Sequence, residues 1–366
     1  MAFVSLLSAF SFPCVADGSI SVSAQSAVLI NAENGDIYFE KNAEKRLPMA
    51  STTKIMTALV AIENSNMQDT VIIDRRAVGI EGSSVYLTDG ELLTMGDLLH
   101  CLLLASANDA AEAIALEIGG SIEGFADMMN KKANELGLQN THFDNPHGLD
   151  SEAHYTTARD LAAITAYALK NSDFSKIVST YKKNIECDVG TRYLINHNRL
   201  LRSYDGCIGV KTGFTKRSGR CLVSAAERDG MCLIAVTLNA PDDWNDHKRM
   251  FDHGFSSYHK LILLGEKEYS ISLPVVGGKE QTVLVRSTNS VESILPASVS
   301  TDDCKVEISL PHFLYAPIEK GAIIGKASCY IDGKLIGESD IIALYGVQRR
   351  VYKKSLWQKI CDFFKL

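Results

Sequence analysis

Apolar residues between positions 24 and 262 recur mainly at spacings of three and four, with short alternating or apolar runs near both ends of this segment. The runs 27–30 and 36–39 flank an Asn-Gly turn and predict a β-hairpin, and the runs 222–226 and 231–238 predict a second one. Helical spacing predicts helices at 51–62, 95–116, 122–135 and 159–169. Strands at both ends with helices between them predict a domain of α+β, or mixed, class.

The pattern changes after residue 264. From 268 to 345, short stretches of alternating apolar and polar residues are separated by turn residues such as Gly277-Gly278 and Asp332-Gly333. Short strands separated by frequent turns are typical of all-β domains. We therefore predict a small β-sandwich at 268–345.

The beginning of the chain has the composition of a targeting segment. Residues 2–15 are apolar or small, a run too short to span a bilayer, and Ala16 provides a small residue for cleavage. We predict a secretory signal peptide at 1–16, with a buried N-terminal strand as the alternative because no basic residue precedes the apolar run.

The end of the chain is basic, although the whole protein is acidic. Residues 347–366 contain six basic residues and one acidic residue, and five apolar residues there recur at helical spacing. A basic amphipathic helix lies in the interface of an anionic membrane. We predict such an anchor at 347–366; the alternative is a terminal helix that packs on the protein's own core.

Charge and cysteine usage exclude several kinds of partner. The 366 residues include 37 Lys and Arg against 44 Asp and Glu, a net charge of -7, so we expect no nucleic-acid partner. The nine cysteines form no C-x-x-C pair and no Cys/His spacing of the zinc type. We therefore expect neither a metal nor a cofactor.

A serine followed three residues later by a lysine places a hydroxyl and an amine on one helical face, where a neutral amine can accept the hydroxyl proton. The chain has three such pairs: Ser51/Lys54, Ser179/Lys182 and Ser257/Lys260. The first pair opens the predicted helix 51–62, where the helix dipole favours negative charge on Ser51 and, together with burial, lowers the pKa of Lys54. An N-capping serine beside a surface lysine is the alternative, and we retain it for the other two pairs.

Two further motifs follow in order along the chain. Ser106-Ala107-Asn108 and then Lys211-Thr212-Gly213 come after Ser51-x-x-Lys54. Each motif alone is weak evidence. The ordered set of three is typical of penicillin-binding proteins and serine β-lactamases.

The resemblance extends over nearly the whole chain. The segments 48–57, 82–84, 103–110, 145–149 and 211–215 resemble D-alanyl-D-alanine carboxypeptidases, the low-molecular-mass penicillin-binding proteins of peptidase family S11. A β-rich second domain and a basic C-terminal anchor are also features of that family. The resemblance implies a β-lactamase/transpeptidase-like catalytic domain: an antiparallel sheet flanked by helices, with the active site between the sheet edge and the helical cluster.

The resemblance also implies the catalytic residues. Ser51 would attack the peptide bond between two terminal D-alanines and form an acyl-enzyme, with Lys54 as its base. Ser106 would relay a proton to the departing amine, and Asn108 would hold the substrate's amide.

The three residues of the third motif, and the phenylalanine that follows them, would bind substrate. Lys211 would supply a positive field, and Thr212 would donate to the terminal carboxylate. Gly213 would leave room for the peptide along the strand, and the backbone N–H of Phe214 would complete the oxyanion hole with that of Ser51.

Three positions stay open at this stage. Many relatives carry a carboxylate-binding arginine near 196–199, which leaves His197 or Arg199 for that role without a choice between them. Residues 242–246 are expected to form a solvated turn. His147 is expected to be a turn residue rather than a base.

The implied substrate is a peptidoglycan stem peptide ending in D-Ala-D-Ala, with β-lactam antibiotics as covalent inhibitors and the extracytoplasmic face of the bacterial cell membrane as the location. One alternative is a serine β-lactamase, but those enzymes are usually single-domain and soluble, with a dedicated glutamate for deacylation. The other is a non-catalytic module that captures cell-wall peptide or penicillin. Such a module has no need of an activated nucleophile, which argues against it.

Overall fold

The computed structural model describes residues 20–351 of the chain. Two compact units divide between Ser256 and Ser257. The predicted signal peptide at 1–16 lies outside the described residues, as does the predicted anchor except for 347–351. In the described part of the chain, no helix is both long and apolar enough to cross a membrane.

The first unit contains both strands and helices. Its strands are β1 Ser26–Asn31, β2 Ile37–Lys41, β3 Thr70–Ile72, β4 Leu92–Thr94, β5 Lys182–Cys187, β6 Gly190–Ile195, β7 Cys207–Thr215, β8 Gly219–Arg228 and β9 Met231–Leu238. Its helices are α1 Lys54–Asn64, α2 Met95–Leu104, α3 Asn108–Gly119, α4 Ile122–Glu135, α5 Ala158–Leu169, α6 Ser172–Ser179, α7 Leu200–Ser203 and α8 Asp243–Ser257.

Five of these strands form an antiparallel sheet in the order β2-β1-β9-β8-β7. Both predicted hairpins, β1–β2 and β8–β9, belong to it. Every residue of β1 is buried because the two faces of the sheet are both covered. Val28 and Ile30 join the helical core, whereas a Cβ on Gly254 of α8 would collide with Leu29 and Leu233 on the other face. The predicted architecture, an antiparallel sheet flanked by helices, is confirmed.

Two predicted helices are wrong in detail, and both differences fall at the motifs. The predicted helix 95–116 is two helices, α2 and α3, because Ser106 between them has a left-handed φ of 62°. The predicted helix 51–62 begins as a 3-10 turn, Ala50–Thr53, and α1 starts only at Lys54. These turns set the directions of Ser51 and Ser106.

The β5–β6 hairpin has no counterpart in the sequence prediction. Its two strands pair from Lys182 with Ile195 to Cys187 with Gly190. Within these strands, Ile185 and Leu194 are the buried residues, so hydrophobic alternation is too weak to indicate a strand.

The second unit is built from strands, as predicted. They are β10 Tyr258–Leu264, β11 Ser270–Val276, β12 Thr282–Ser287, β13 Val291–Pro296, β14 Lys305–Ser309, β15 Leu314–Tyr315, β16 Ile323–Ile331 and β17 Lys334–Ala343. Six of them form a sheet in the order β14-β16-β17-β12-β11-β15, and β10 pairs with β13 in a second sheet. Apolar side chains such as Val283, Leu295 and Ile341 form its core.

The limits of the second unit differ from the predicted domain 268–345 at both ends. Strand β10 belongs to this unit because it pairs with β13, although the predicted first domain extends to 262. Val347, predicted as part of the anchor, is fully buried in the second core and pairs with Ile318.

Candidate active site

The three motifs meet in one cleft of the first unit. The cleft has a volume of about 790 Å³. Its lining includes Ser51 from the 3-10 turn, Ser106 from the break between α2 and α3, and Thr212, Gly213 and Phe214 from β7. Because β7 is the last strand of the five-stranded sheet, the cleft lies between the sheet edge and the helical cluster.

Lys54 and Asn108 lie behind Ser51. The Nζ atom of Lys54 is 3.0 Å from Ser51 Oγ, 2.7 Å from Asn108 Oδ1 and 2.7 Å from the backbone oxygen of His147. A neutral amine has two N–H donors and one lone pair. The carbonyl oxygens of Asn108 and His147 accept the two donors, which leaves the lone pair directed at the hydroxyl of Ser51. This arrangement can remove the hydroxyl proton.

Burial favours the neutral form of Lys54. The side chain is fully buried, and desolvation is the largest cause that holds the pKa of Lys54 well below its usual value. The charge of Lys211 lowers this pKa further, whereas Asp109 raises it. Lys211 is itself buried, which lowers its own pKa to about 7. Burial is thus the main cause of the lowered pKa of Lys54.

Two glycines allow the chain to pass close to Ser51. Gly148 has a φ of 88°, and a Cβ there would overlap the backbone oxygen of Ala50 in the 3-10 turn. A Cβ on Gly213 would lie 3.0 Å from the backbone nitrogen of Ser51. Gly213 therefore lets β7 approach the nucleophile, a structural reason for this glycine in addition to the predicted space for substrate.

The second motif is tied to the loop 81–87. The backbone N–H of Asn108 donates to Ser83 O at 2.7 Å, and its side-chain Nδ2 donates to Glu81 O at 2.6 Å. Asp109 accepts hydrogen bonds from the backbone N–H groups of Val85 and Leu87. These contacts place Ser83 in the wall of the cleft. The second N–H of the Asn108 side-chain amide is not hydrogen-bonded to that loop.

Three arginines line the cleft, and two of them, Arg202 and Arg220, were not predicted from the sequence. They are Arg199, Arg202 and Arg220. Arg220 pairs with Phe214 in the β7–β8 register, which places it diagonally across from Thr212 on the same face. Its Nε and one terminal nitrogen lie 3.0 and 2.8 Å from Asp243 Oδ1. The cleft thus combines fixed positive charge with the hydroxyl of Thr212.

The expectation of a solvated turn at 242–246 is wrong. Asp243 begins α8, is buried and binds Arg220, while the indole of Trp244 lies 6.0 Å from Arg199 and 5.7 Å from Arg220. Asp246 is fully buried and accepts the backbone N–H of Ser23 at 2.9 Å. The amphipathic pattern that follows residue 243 indicates a helix start, and this signal could have identified the segment.

The other open positions are now placed. His197 and Arg199 both line the cleft, so the structure keeps both as candidates for binding the substrate carboxylate. Burial is the largest cause that lowers the pKa of His197, and the charge of Lys211 adds to it. His147 is a turn residue, as expected: its ring accepts the N–H of Leu149, and its backbone oxygen, not its ring, contacts Lys54.

The two other Ser-x-x-Lys pairs lie elsewhere and make ordinary contacts. Ser179 Oγ donates to Ser175 O at 2.8 Å, and Lys182 lies over the ring of Tyr181. Lys260 pairs with Glu292 at 3.0 Å in the second unit. Context, and not spacing, distinguishes Ser51 from these serines.

Comparison with known proteins agrees with this geometry. The family model described as D-alanyl-D-alanine carboxypeptidase, peptidase family S11, matches residues 14–242, and the model of the penicillin-binding protein 5 C-terminal domain matches 260–349. D-alanyl-D-alanine carboxypeptidase DacF of Bacillus subtilis is 34% identical over 93% of this chain and 90% of its own length. DacA of Escherichia coli is 30% identical over 95% and 89%, respectively.

Solved structures give the same result. Penicillin-binding protein 5 of Haemophilus influenzae matches with a TM-score of 0.68 at 27% identity, over 91% of this chain and 100% of that one. The Streptomyces K15 DD-transpeptidase matches with a TM-score of 0.63 at 35% identity, over 65% of this chain and 99% of that one.

Fold and cleft together define a penicillin-binding-protein fold with a serine peptidase site. The three motifs, the second all-β unit and the matches over almost the whole chain narrow the class further. The chain belongs to the D-alanyl-D-alanine carboxypeptidase family, peptidase family S11. The family and fold predicted from the sequence are confirmed.

Proposed function

We propose that this protein removes the terminal D-alanine from peptidoglycan stem peptides through an acyl-enzyme on Ser51. The observation that carries the proposal is the 3.0 Å approach of the buried Lys54 amine to the Ser51 hydroxyl. An uncharged amine at that distance activates a serine without a histidine.

Acylation begins with the attack of Ser51 Oγ on the carbonyl carbon between the two D-alanines. The hydroxyl proton passes to Lys54, and the oxyanion accepts hydrogen bonds from the backbone N–H groups of Ser51 and Phe214. The C–N bond then breaks, and the amine leaves as D-alanine with a proton relayed through Ser106. Water hydrolyses the ester and restores the Ser51 hydroxyl.

The substrate carboxylate is bound beside β7. Thr212 donates a hydrogen bond to it, and Lys211 and Arg220 supply positive charge from the strand and its neighbour. The N–H of Asn108 that is not bound to Glu81 donates to the substrate's amide oxygen. A β-lactam, whose carboxylate and strained amide imitate the dipeptide, acylates Ser51 in the same way.

The protein acts outside the cytoplasmic membrane in this proposal. The apolar leader at 1–16 directs export, and the basic amphipathic segment that completes the chain attaches the protein to the outer face of that membrane. The substrate peptide is found on the same side.

The test uses diacetyl-Lys-D-Ala-D-Ala and, separately, a fluorescent penicillin. The parent protein should release D-alanine and retain the penicillin for minutes or longer, and Ser51→Ala should do neither. Ser179→Ala, which removes the serine of another Ser-x-x-Lys pair, is the matched control and should keep both activities. Rapid turnover of penicillin would favour a β-lactamase, and peptide binding without D-alanine release would favour a non-catalytic module.

A further inference from the structure

An apolar patch faces outward at one edge of the second unit. The last strand of the six-stranded sheet, β15, pairs with β11. Tyr315 of β15 is 69% exposed, and its register partner Val276 is 49% exposed. The ring of Phe313, 46% exposed, contacts Tyr315 edge-on with 5.3 Å between centroids.

These side chains share one face of the sheet. Val276 and Tyr315 are opposite each other in a parallel pair, and Phe313 lies two residues before Tyr315. The neighbouring Val275 points the other way, into the core of the unit. The fold of this unit therefore leaves two aromatic rings and a valine turned away from its core.

Exposed basic residues lie on the backbone segment that follows Val276 and on the segment that pairs with it. Arg349 forms a β-bridge with Gly278, the backbone N–H of Arg350 donates to Gly277 O at 2.8 Å, and that of Lys279 donates to Gln348 O at 2.8 Å. Lys279, Arg349 and Arg350 are exposed, and within residues 20–351 none of the three is part of a salt bridge. We define the edge surface as Val276, Lys279, Phe313, Tyr315, Arg349 and Arg350.

The acidic residues close to the edge surface in sequence are fewer than the basic ones. Glu280 and Glu319 are exposed neighbours, whereas Lys320 adds a fourth basic residue. These sequence neighbours, four basic residues and two acidic ones, carry a net positive charge. This is the opposite sign from the whole chain, whose net charge is -7.

The chain continues from this surface into its basic end. Val351, the last described residue, is 82% exposed and directly follows Arg350. The remaining positions, 352–366, include four lysines and one aspartate together with the predicted apolar stripe. Exposed apolar and basic residues are thus combined both in the edge surface and in the segment that begins next to it.

We propose that the edge surface rests directly on an anionic phospholipid bilayer, so that the folded second unit itself makes membrane contact. Aromatic side chains favour the interfacial layer of a bilayer, and each Lys or Arg near an anionic surface contributes additional attraction. Arg349 and Arg350 also belong to the predicted anchor 347–366, so Val276, Phe313, Tyr315 and Lys279 distinguish this contact from the tail attachment. The contact is independent of the carboxypeptidase activity.

The first test changes the rings in the full chain. Phe313→Ser with Tyr315→Ser should lower the partition coefficient on phosphatidylcholine vesicles containing phosphatidylglycerol by roughly ten-fold, measured by co-sedimentation. Val306→Ser with Leu335→Ser is the matched control, because these exposed apolar residues belong to strands β14 and β17 away from the edge surface. The control should bind like the parent.

The second test changes the charges. Each of the changes Lys279→Gln, Arg349→Gln and Arg350→Gln should cost about five-fold in partition on anionic vesicles, and the triple variant should show a weaker salt dependence. On pure phosphatidylcholine, the triple variant and the parent should bind alike. D-alanine release from the soluble peptide should match the parent in every variant, which separates this proposal from the proposed function.

Hydrogen exchange locates the contact. Amides of 311–318 should gain protection when the full chain is bound to anionic vesicles, whereas those of 305–309 should not. Unchanged partition of the ring and charge variants, or protection confined to 352–366, would overturn the proposal. A different outcome is that the parent self-associates without lipid in a concentration-dependent way and the ring variant does not. The edge surface would then bind a second copy of the chain instead of a bilayer.

Discussion

The two units of this protein bury polar groups very differently. The first unit holds two lysines, Lys54 and Lys211, fully buried beside its sheet edge. In the second unit, the buried polar side chains of the described residues are the hydroxyls of Ser287, Ser328 and Ser339. Among the described residues of that unit, lysines such as Lys305 and Lys326 lie at the surface beside an acid.

This difference changes the protonation of the lysines. Desolvation lowers the pKa of Lys54 and Lys211, whereas Glu338 raises the pKa of the exposed Lys326. Burial of an amine costs free energy of folding, and strongly perturbed titratable groups cluster at functional sites. Among the described residues of the second unit, no lysine is buried.

Removal of the buried base should have the largest effect. Lys54→Met should reduce D-alanine release and the rate of penicillin acylation by roughly 10³-fold, because Ser51 loses its proton acceptor. The control Lys326→Met in the second unit should leave both rates unchanged. If the Lys54→Met protein kept activity within ten-fold of the parent, the role of Lys54 as the proton acceptor of Ser51 would be contradicted.

The next effect concerns the backbone that holds Ser51. Gly148→Ala should destabilise the first unit by more than about 3 kcal/mol and abolish penicillin labelling, since the added Cβ overlaps Ala50 O. Gly137→Ala is the matched control: Gly137 has a φ of 76° and open space around its Cβ position, so it tests backbone strain alone. Urea denaturation and labelling measure both. Equal losses in the two variants would mean that close packing at Ser51 is unimportant.

The buried Lys211 should make stability depend on pH. Its pKa of about 7 in the folded protein lies below the unfolded value of 10.5, so the unfolded chain binds more protons between these limits. The free energy of unfolding should therefore rise with pH from about 7 to about 10, by up to roughly 1.4 kcal/mol per pH unit from this group. Lys54 adds a contribution of the same sign.

Lys211→Met should reduce this slope, measured by hydrogen exchange of α1 amides across the pH range. The raised pKa of Lys326 has the opposite effect on the free energy of unfolding. The stability that Lys326 contributes is fully present below its pKa in the unfolded chain, 10.5, and is lost only as the pH rises through its higher pKa in the folded protein. Lys326→Met should therefore leave the slope between pH 7 and 10 unchanged. A slope in Lys211→Met equal to that of the parent would contradict the assignment.

The smallest effect is expected at the arginine next to β7. Arg220→Ala should raise KM for a D-Ala-D-Ala peptide by roughly 10- to 100-fold and change kcat less, because a charged hydrogen bond to the carboxylate is lost. A substrate with a C-terminal amide provides the control, since it lacks the negative charge and should be insensitive to the change. An equal loss with both substrates would assign Arg220 a structural role through Asp243.

Much of the site was predictable because its motifs are local. The spacing of Ser51 and Lys54, and the order of the motifs at 106–108 and 211–213, predicted a nucleophile and its base and identified the family. Among the residues that sequence reasoning missed, Arg220 has no such local signal, whereas the helix start at 243 could have indicated Trp244. Arg220 reaches the cleft only through the antiparallel register that places it opposite Phe214, and Trp244 reaches it because α8 begins one residue earlier.

The sequence by itself determined the elements and their chemistry: hairpins from alternation, helices from periodicity, and an activated serine from three short motifs. Only the tertiary structure decided how these parts act together. Ser51 and Ser106 depend on short turns that hydrophobic periodicity does not distinguish from continuous helix. The pKa of Lys54 depends on burial by residues far away along the chain, and desolvation is a property of the assembled fold rather than of any segment.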